Sequence, residues 1–131
     1  MVGPSEMYLE DAIRHVRKHT WSGAIWTTGG CGILAEAIKM IFPSAQYIEI
    51  FDPKAGLTAH VGAKIGDFVY DADGKALPMH WLNDWIAWTA NPNLKLMYFS
   101  SEDWPDDIER DRGQSRYIAK LLKKWHPTIE S

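Results

Sequence analysis

Apolar positions recur every three or four residues in four stretches of the chain and alternate in four others. The switch between the two periods marks out the elements. In "SEMYLEDAIRHVRKH", Leu9, Ala12, Ile13 and Val16 fall on one face, which predicts an amphipathic helix over about 6–19. Trp21 to Gly30 reads as a loop rich in Thr, Gly and Trp. From Cys31 onward, Ile33, Leu34, Ala37, Ile38, Ile41 and Phe42 form one broad stripe, with Glu36 and Lys39 facing away from it. A stripe this wide belongs to a helix sunk into the core. Pro43 and Ser44 end that helix.

The pattern then changes to alternation. "AQYIEIFD" reads as a strand. Two further strands, over about 58–65 and 68–73, flank Gly66-Asp67, a pair suited to a two-residue hairpin with Gly first. "PMHWLNDWIAWT" predicts a short helix with Trp81, Trp85 and Trp88 on one face, where packing is the default reading. "NLKLMYFS" is a strand and "WPDDIERDRG" a polar loop or partly helical turn. "QSRYIAKLLKKWH" is a closing helix with Tyr117, Ile118, Leu121, Leu122 and Trp125 on its apolar side. Helices followed by mostly antiparallel strands describe an α+β fold. At 131 residues, the expectation is a single domain over 1–131, large enough for a core without disulfides or metals.

Composition narrows the function classes. A net charge of -3 argues against a general nucleic-acid binder. The basic run "RYIAKLLKKWH" is offset by the acidic run "SEDWPDDIERD" before it. The one cysteine cannot form an intramolecular disulfide, and no stretch reaches the roughly 18 apolar residues of a membrane span. The N-terminus lacks the apolar core of a signal peptide, so a cytoplasmic protein is expected. His15 and His19 stand four apart, but the cations Arg14, Arg17 and Lys18 surround them; a solvated helix face is expected and no metal or cofactor. "DPKAG" and "DADGK" are too short for a calcium loop, and the Gly pair before Cys31 lacks the Lys-Ser/Thr of a phosphate loop.

What stands out is the place of the thiol. Cys31 opens a helix inside a glycine clasp, "TTGGCG". A helix N-terminus favours a thiolate, and its free N–H groups can hold an oxyanion. A base is at hand. If Gly66 and Asp67 form the turn, Ile65 pairs with Phe68, Gly62 with Asp71 and His60 with Asp73. His60, Asp71 and Asp73 then share one side of the hairpin. Val61, Ala63, Ile65, Phe68 and Tyr70 share the other, apolar side. An imidazole flanked by a carboxylate and a thiol has the three roles of a catalytic triad.

A glycine-flanked Cys opening a buried helix, a strand with "AHV" and then "FVYDADG" together resemble papain-like and transglutaminase-like cysteine enzymes, especially their small phage and bacterial members. The resemblance covers roughly residues 26–74. It implies a papain-like domain, with a Cys-bearing helix packed on an antiparallel sheet. By position it makes Cys31 the nucleophile, His60 the base and Asp71 the third member, with Asp73 as the alternative. Many papain-like enzymes place a Gln before the Cys as an oxyanion donor. Here Thr27, Thr28 or a glycine N–H such as that of Gly30 takes that place, and Trp26 is positioned to wall a substrate channel. The implied activity is thiol-dependent acyl transfer on an amide of a peptide or protein, by a peptidase, amidase or deamidase. The alternative is a module of the same fold that binds or inhibits a partner without chemistry.

Overall fold

The computed structural model describes residues 4–19 and 30–124. The elements run in the order α1 (Pro4–His19), α2 (Cys31–Ile41), β1 (Gln46–Asp52), β2 (Leu57–Ile65), β3 (Phe68–Asp71), β4 (Gly74–Ala76), α3 (Pro78–Thr89), β5 (Lys95–Phe99) and α4 (Arg112–Lys124). A 3-10 turn, Ser101–Asp103, follows β5. The strands form one five-stranded sheet in the order β4-β3-β2-β1-β5, and every neighbouring pair is antiparallel. The fold is therefore α+β, with four helices and an antiparallel sheet among the described residues.

Alternation along the strands supplies the sheet with two apolar faces. Tyr47, Val61, Ala63, Ile65 and Tyr70 share a cluster with Leu9 and Ile13 of α1, Leu34 and Ile38 of α2, and Ile118 and Leu122 of α4. Ile48, Ile50 and Val69 share a second cluster with Trp81 and Leu82 of α3 and with Leu94. Fully burying one such Leu or Ile contributes about 1.5–3 kcal/mol, so these two interfaces dominate the stability.

The hairpin turn is as the pattern predicts. Gly66 takes a left-handed φ of 58° while Asp67 does not, and Ile65 pairs with Phe68. The expected strand over 68–73 is shorter, however. It ends at Asp71, and Ala72 and Asp73 form a tight turn into β4, because Asp71 pairs with Gly74. The Asp71 side chain causes this: its Oδ1 accepts from the Asp73 N–H at 2.9 Å and bends the chain back. His60 therefore does not face Asp73 across the hairpin.

Three other expectations change. Glu36 does not face away from the core. It is 4 % exposed and accepts from Arg110 Nε at 3.0 Å. Tyr117 is exposed, because the buried positions of α4 are Ser115, Ile118, Ala119 and Leu122. Trp88 shares the α3 face with Trp81 and Trp85 yet is 71 % exposed. Trp125 lies outside the described residues. Among the described residues, no helix is long and apolar enough to cross a membrane.

Candidate active site

His60 follows an irregularity in β2. Ile50 pairs with His60 but Phe51 pairs with Thr58, so Ala59 is an extra, unpaired residue. A bulge at that point re-aims the next side chain and sharpens the local twist. The His60 ring is fully buried. It stacks on Trp85, with centroids 4.5 Å apart and planes 20° apart, and meets Trp81 at 5.7 Å.

His60 Nε2 lies 2.9 Å from Asp71 Oδ2. The same oxygen accepts from Trp81 Nε1 at 2.9 Å. With Oδ1 engaged by the Asp73 N–H, the carboxylate is held on both oxygens. Burial pushes the Asp71 pKa up, but the hydrogen bond and charge of His60, and then the donors Trp81 and Asp73, hold it below the usual carboxylate value. For His60, burial works against the charged form. The hydrogen bond donated to Asp71, and then the contact and charge of Cys31 and the charge of Asp71, outweigh it and push the pKa up to about 9. The imidazole is therefore mainly charged at neutral pH.

Cys31 approaches that same ring closely enough to bias its protonation. The contact stops short of a fully formed hydrogen bond, since Nδ1 is buried and has no partner of good geometry. Loose geometry of this kind is common in unliganded catalytic sites. With Nε2 committed to Asp71, Nδ1 is the nitrogen left to face the thiol.

Cys31 is 2 % exposed and is the first residue of α2. Gly30, buried, is the N-cap and offers no side chain to the helix end. The Leu34 N–H donates to Gly30 O at 3.1 Å, so the N–H groups of Cys31, Gly32 and Ile33 precede the first intrahelical bond. They are the donors able to hold an oxyanion there. Gly32 is glycine for another reason. A Cβ on it would stand 2.6 Å from Ile108 Cγ2, 2.8 Å from Trp104 Cζ2 and 2.9 Å from Glu109 O. This half of the clasp admits the segment before α4, not a substrate. Ser115 Oγ donates to Ile33 O at 3.1 Å and secures the same turn from α4.

The structure thus brings Cys31, His60 and Asp71 together, with Gly30 at the cap. Asp73 stands apart from the imidazole, in an ion pair with Arg17 at 2.9 Å. Trp26 and Thr28 lie outside the described residues. Sequence reasoning missed Trp81 and Trp85 as partners of the site. It also missed Gly62, where a Cβ would meet Val69 Cγ1 at 2.6 Å and Trp81 Cζ2 at 3.1 Å. An isolated glycine in a strand is the signal for such a close approach. No group of three or more His, Cys, Asp or Glu is placed to hold a metal ion among the described residues.

A cleft of about 160 Å³ beside the site is lined by Asp71, Trp81, Lys75 and neighbours. It shares Asp73, Asp84 and Trp85 with a larger cavity of about 360 Å³ that Trp88 completes. A separate cavity of about 400 Å³ lies by Lys39, Tyr47 and Ser101 and touches none of the three residues.

Together these elements define an α+β protein with a buried Cys–His–Asp cluster where a helix start meets a sheet. The chain belongs to the phage YunG-like protein family, whose profile matches residues 8–98. That match spans α2, β1 to β4 and all of β5 but Phe99, so it includes the whole cluster. Nothing matches among curated proteins or among solved structures.

Proposed function

We propose that this protein is a papain-like cysteine enzyme that transfers the acyl group of a peptide or protein amide. The observation that carries the reading is the 2.9 Å bond between His60 Nε2 and Asp71, which leaves the buried Nδ1 for Cys31. In this reading His60 already carries its proton, and the imidazolium holds the Cys31 thiolate as a preformed ion pair. The thiolate attacks the amide carbonyl carbon. The N–H groups at the start of α2 hold the oxyanion. His60 then gives its proton to the nitrogen as the C–N bond breaks and the amine leaves. Water, deprotonated by His60, cleaves the thioester, releasing the carboxylic acid and restoring the imidazolium–thiolate pair.

A second reading, a binding module of the same fold without chemistry, is favoured by the near-complete burial of Cys31 and His60. Alkylation by iodoacetamide across pH separates the two. The enzyme requires Cys31 to react with iodoacetamide below pH 7 faster than an ordinary thiol, and to slow in His60→Ala. A thiol inert until the protein is denatured sinks the acyl-transfer reading.

A further inference from the structure

We infer that the amide substrate carries a basic side chain, lysine or arginine, which docks in the cavity formed by Trp85, Trp88, Asp73 and Asp84. The inference rests on the acyl-transfer reading and adds a substrate class to it. Trp88 is the starting point. It is 71 % exposed and makes an edge-on contact with Trp85 at 4.9 Å, so it extends the aromatic wall outward and not into the core. Trp85 uses its ring against His60 at the inner end, which ties the cavity to the site.

The charges around these rings point to a cation. Asp84 is exposed, and no described residue pairs with its carboxylate. It stands one helical turn before Trp88, on the same side of α3. Asp73 adds a second carboxylate, already shared with Arg17. Lys75 lines only the inner cleft, and its ammonium lies over the Phe68 ring at 4.8 Å. The outer cavity is therefore negative, with aromatic walls. That is the chemistry that recognises an ammonium or guanidinium and repels an acid. Its volume of about 360 Å³ holds one long side chain. Because the inner cleft shares Asp73, Asp84 and Trp85 and ends at Asp71 and Trp81, a side chain seated there lies at the Asp71 end of the cluster.

The test uses the full chain as Cys31→Ala, labelled with nitrogen-15, and follows its tryptophan indole N–H signals. Three probes are titrated: the acetyl-amide derivatives of lysine, norleucine and glutamate. The lysine probe should shift Trp85 and Trp88 at millimolar concentration. Norleucine, of the same length without charge, and glutamate should bind at least about fivefold more weakly. Asp84→Asn should weaken lysine about fivefold, as removal of an exposed charge partner does, while Asp11→Asn on α1 should not. Equal responses to lysine and norleucine, or no effect of Asp84→Asn, overturn the inference. Iodoacetamide reactivity of the unmutated protein keeps the two readings apart. A reactive Cys31 without lysine-specific shifts sinks the substrate class alone. An inert Cys31 with those shifts intact sinks acyl transfer and leaves a cation-binding cavity.

Discussion

His60 and Trp81 share one acceptor: both direct a nitrogen at Asp71 Oδ2, each from 2.9 Å. An imidazolium and an indole are both donors, so the arrangement needs an ionised carboxylate between them. Asp71→Asn keeps the shape but replaces one acceptor oxygen by a donor. The His60 pKa should then fall from about 9 toward its ordinary value or below, since burial would be less opposed. The lost charged hydrogen bonds should cost about 1.5–3 kcal/mol of stability. An NMR titration of the imidazole and urea unfolding read the two effects. An unchanged titration would remove Asp71 from the site.

Stability should depend on pH with a definite sign. The folded His60 pKa of about 9 lies above the ordinary 6.5, so its stabilisation is complete below about 6.5 and is lost as pH rises through 9. The difference is on the order of 3 kcal/mol. Asp71 is shifted the other way, so its contribution is present above 3.8 and is lost as pH falls through its lower folded value. Glu49 is raised from 4.5, mainly by burial, so ionising it trims stability as pH climbs past that region. Thermal unfolding from pH 4 to 10 should fall off on the alkaline side, and His60→Gln should flatten that limb. An equal decline in both proteins removes His60 as its source.

Gly62→Ala should loosen the same site from behind. The new methyl would press on Val69 Cγ1 at 2.6 Å and on Trp81 Cζ2 at 3.1 Å. Relief by moving Trp81 breaks its bond to Asp71. Overpacking of this kind costs about 1–3 kcal/mol. The Trp81 indole N–H should exchange faster with solvent deuterium. Gly113→Ala is the control: its methyl meets only Asp111 Oδ1 at 3.4 Å, so it should be nearly neutral. Equal stability of the two variants would contradict the close approach at Gly62.

Glu36 and Arg110 make a further prediction. Glu36 Oε2 accepts from Arg110 Nε at 3.0 Å, while Oε1 is buried and has no partner. Arg110 also donates to Ser101 O and Ser101 Oγ and lies over the Trp104 ring at 4.7 Å. Arg110→Ala leaves the buried Glu36 carboxylate only the long contact to Arg112 Nε, at 3.9 Å, and should cost about 3 kcal/mol. The pair Glu36→Leu with Arg110→Met should recover most of that loss. Chemical denaturation of single and double variants measures the difference, and a double variant no better than the single one would show that shape matters more than charge.

The readable part of the site came from local periodicity and one turn. Gly66-Asp67 between two β-like runs sets Ile65 opposite Phe68, and with it the side of the hairpin on which His60 and Asp71 stand. The helical stripe after Cys31 likewise places the thiol at a helix start. Other features had no local signal. Asp71 spends an oxygen on its own turn, which shortens β3 and takes Asp73 away from His60. Trp81 and Trp85 have helical spacing, which names a face of α3 but not the imidazole it covers. Glu36 sits on α2 as a polar residue should on a surface, and its partner Arg110 lies 74 residues further along the chain. Nothing in "LTAHV" distinguishes Ala59 as the residue that bulges.

The two oxygens of Asp71 have a consequence for how this chain can diverge. One closes the Ala72–Asp73 turn and the other positions His60, so loop length and site geometry are a single inherited trait. An inserted residue in that turn would need a new way to orient the carboxylate before the site could function again. The opposite end of the hairpin carries no such tie. Gly66 and Asp67 are exposed, and their turn is free to lengthen, to take a tag or to accept a cut for circular permutation. Lineages of this fold should vary at that end and stay still at the other.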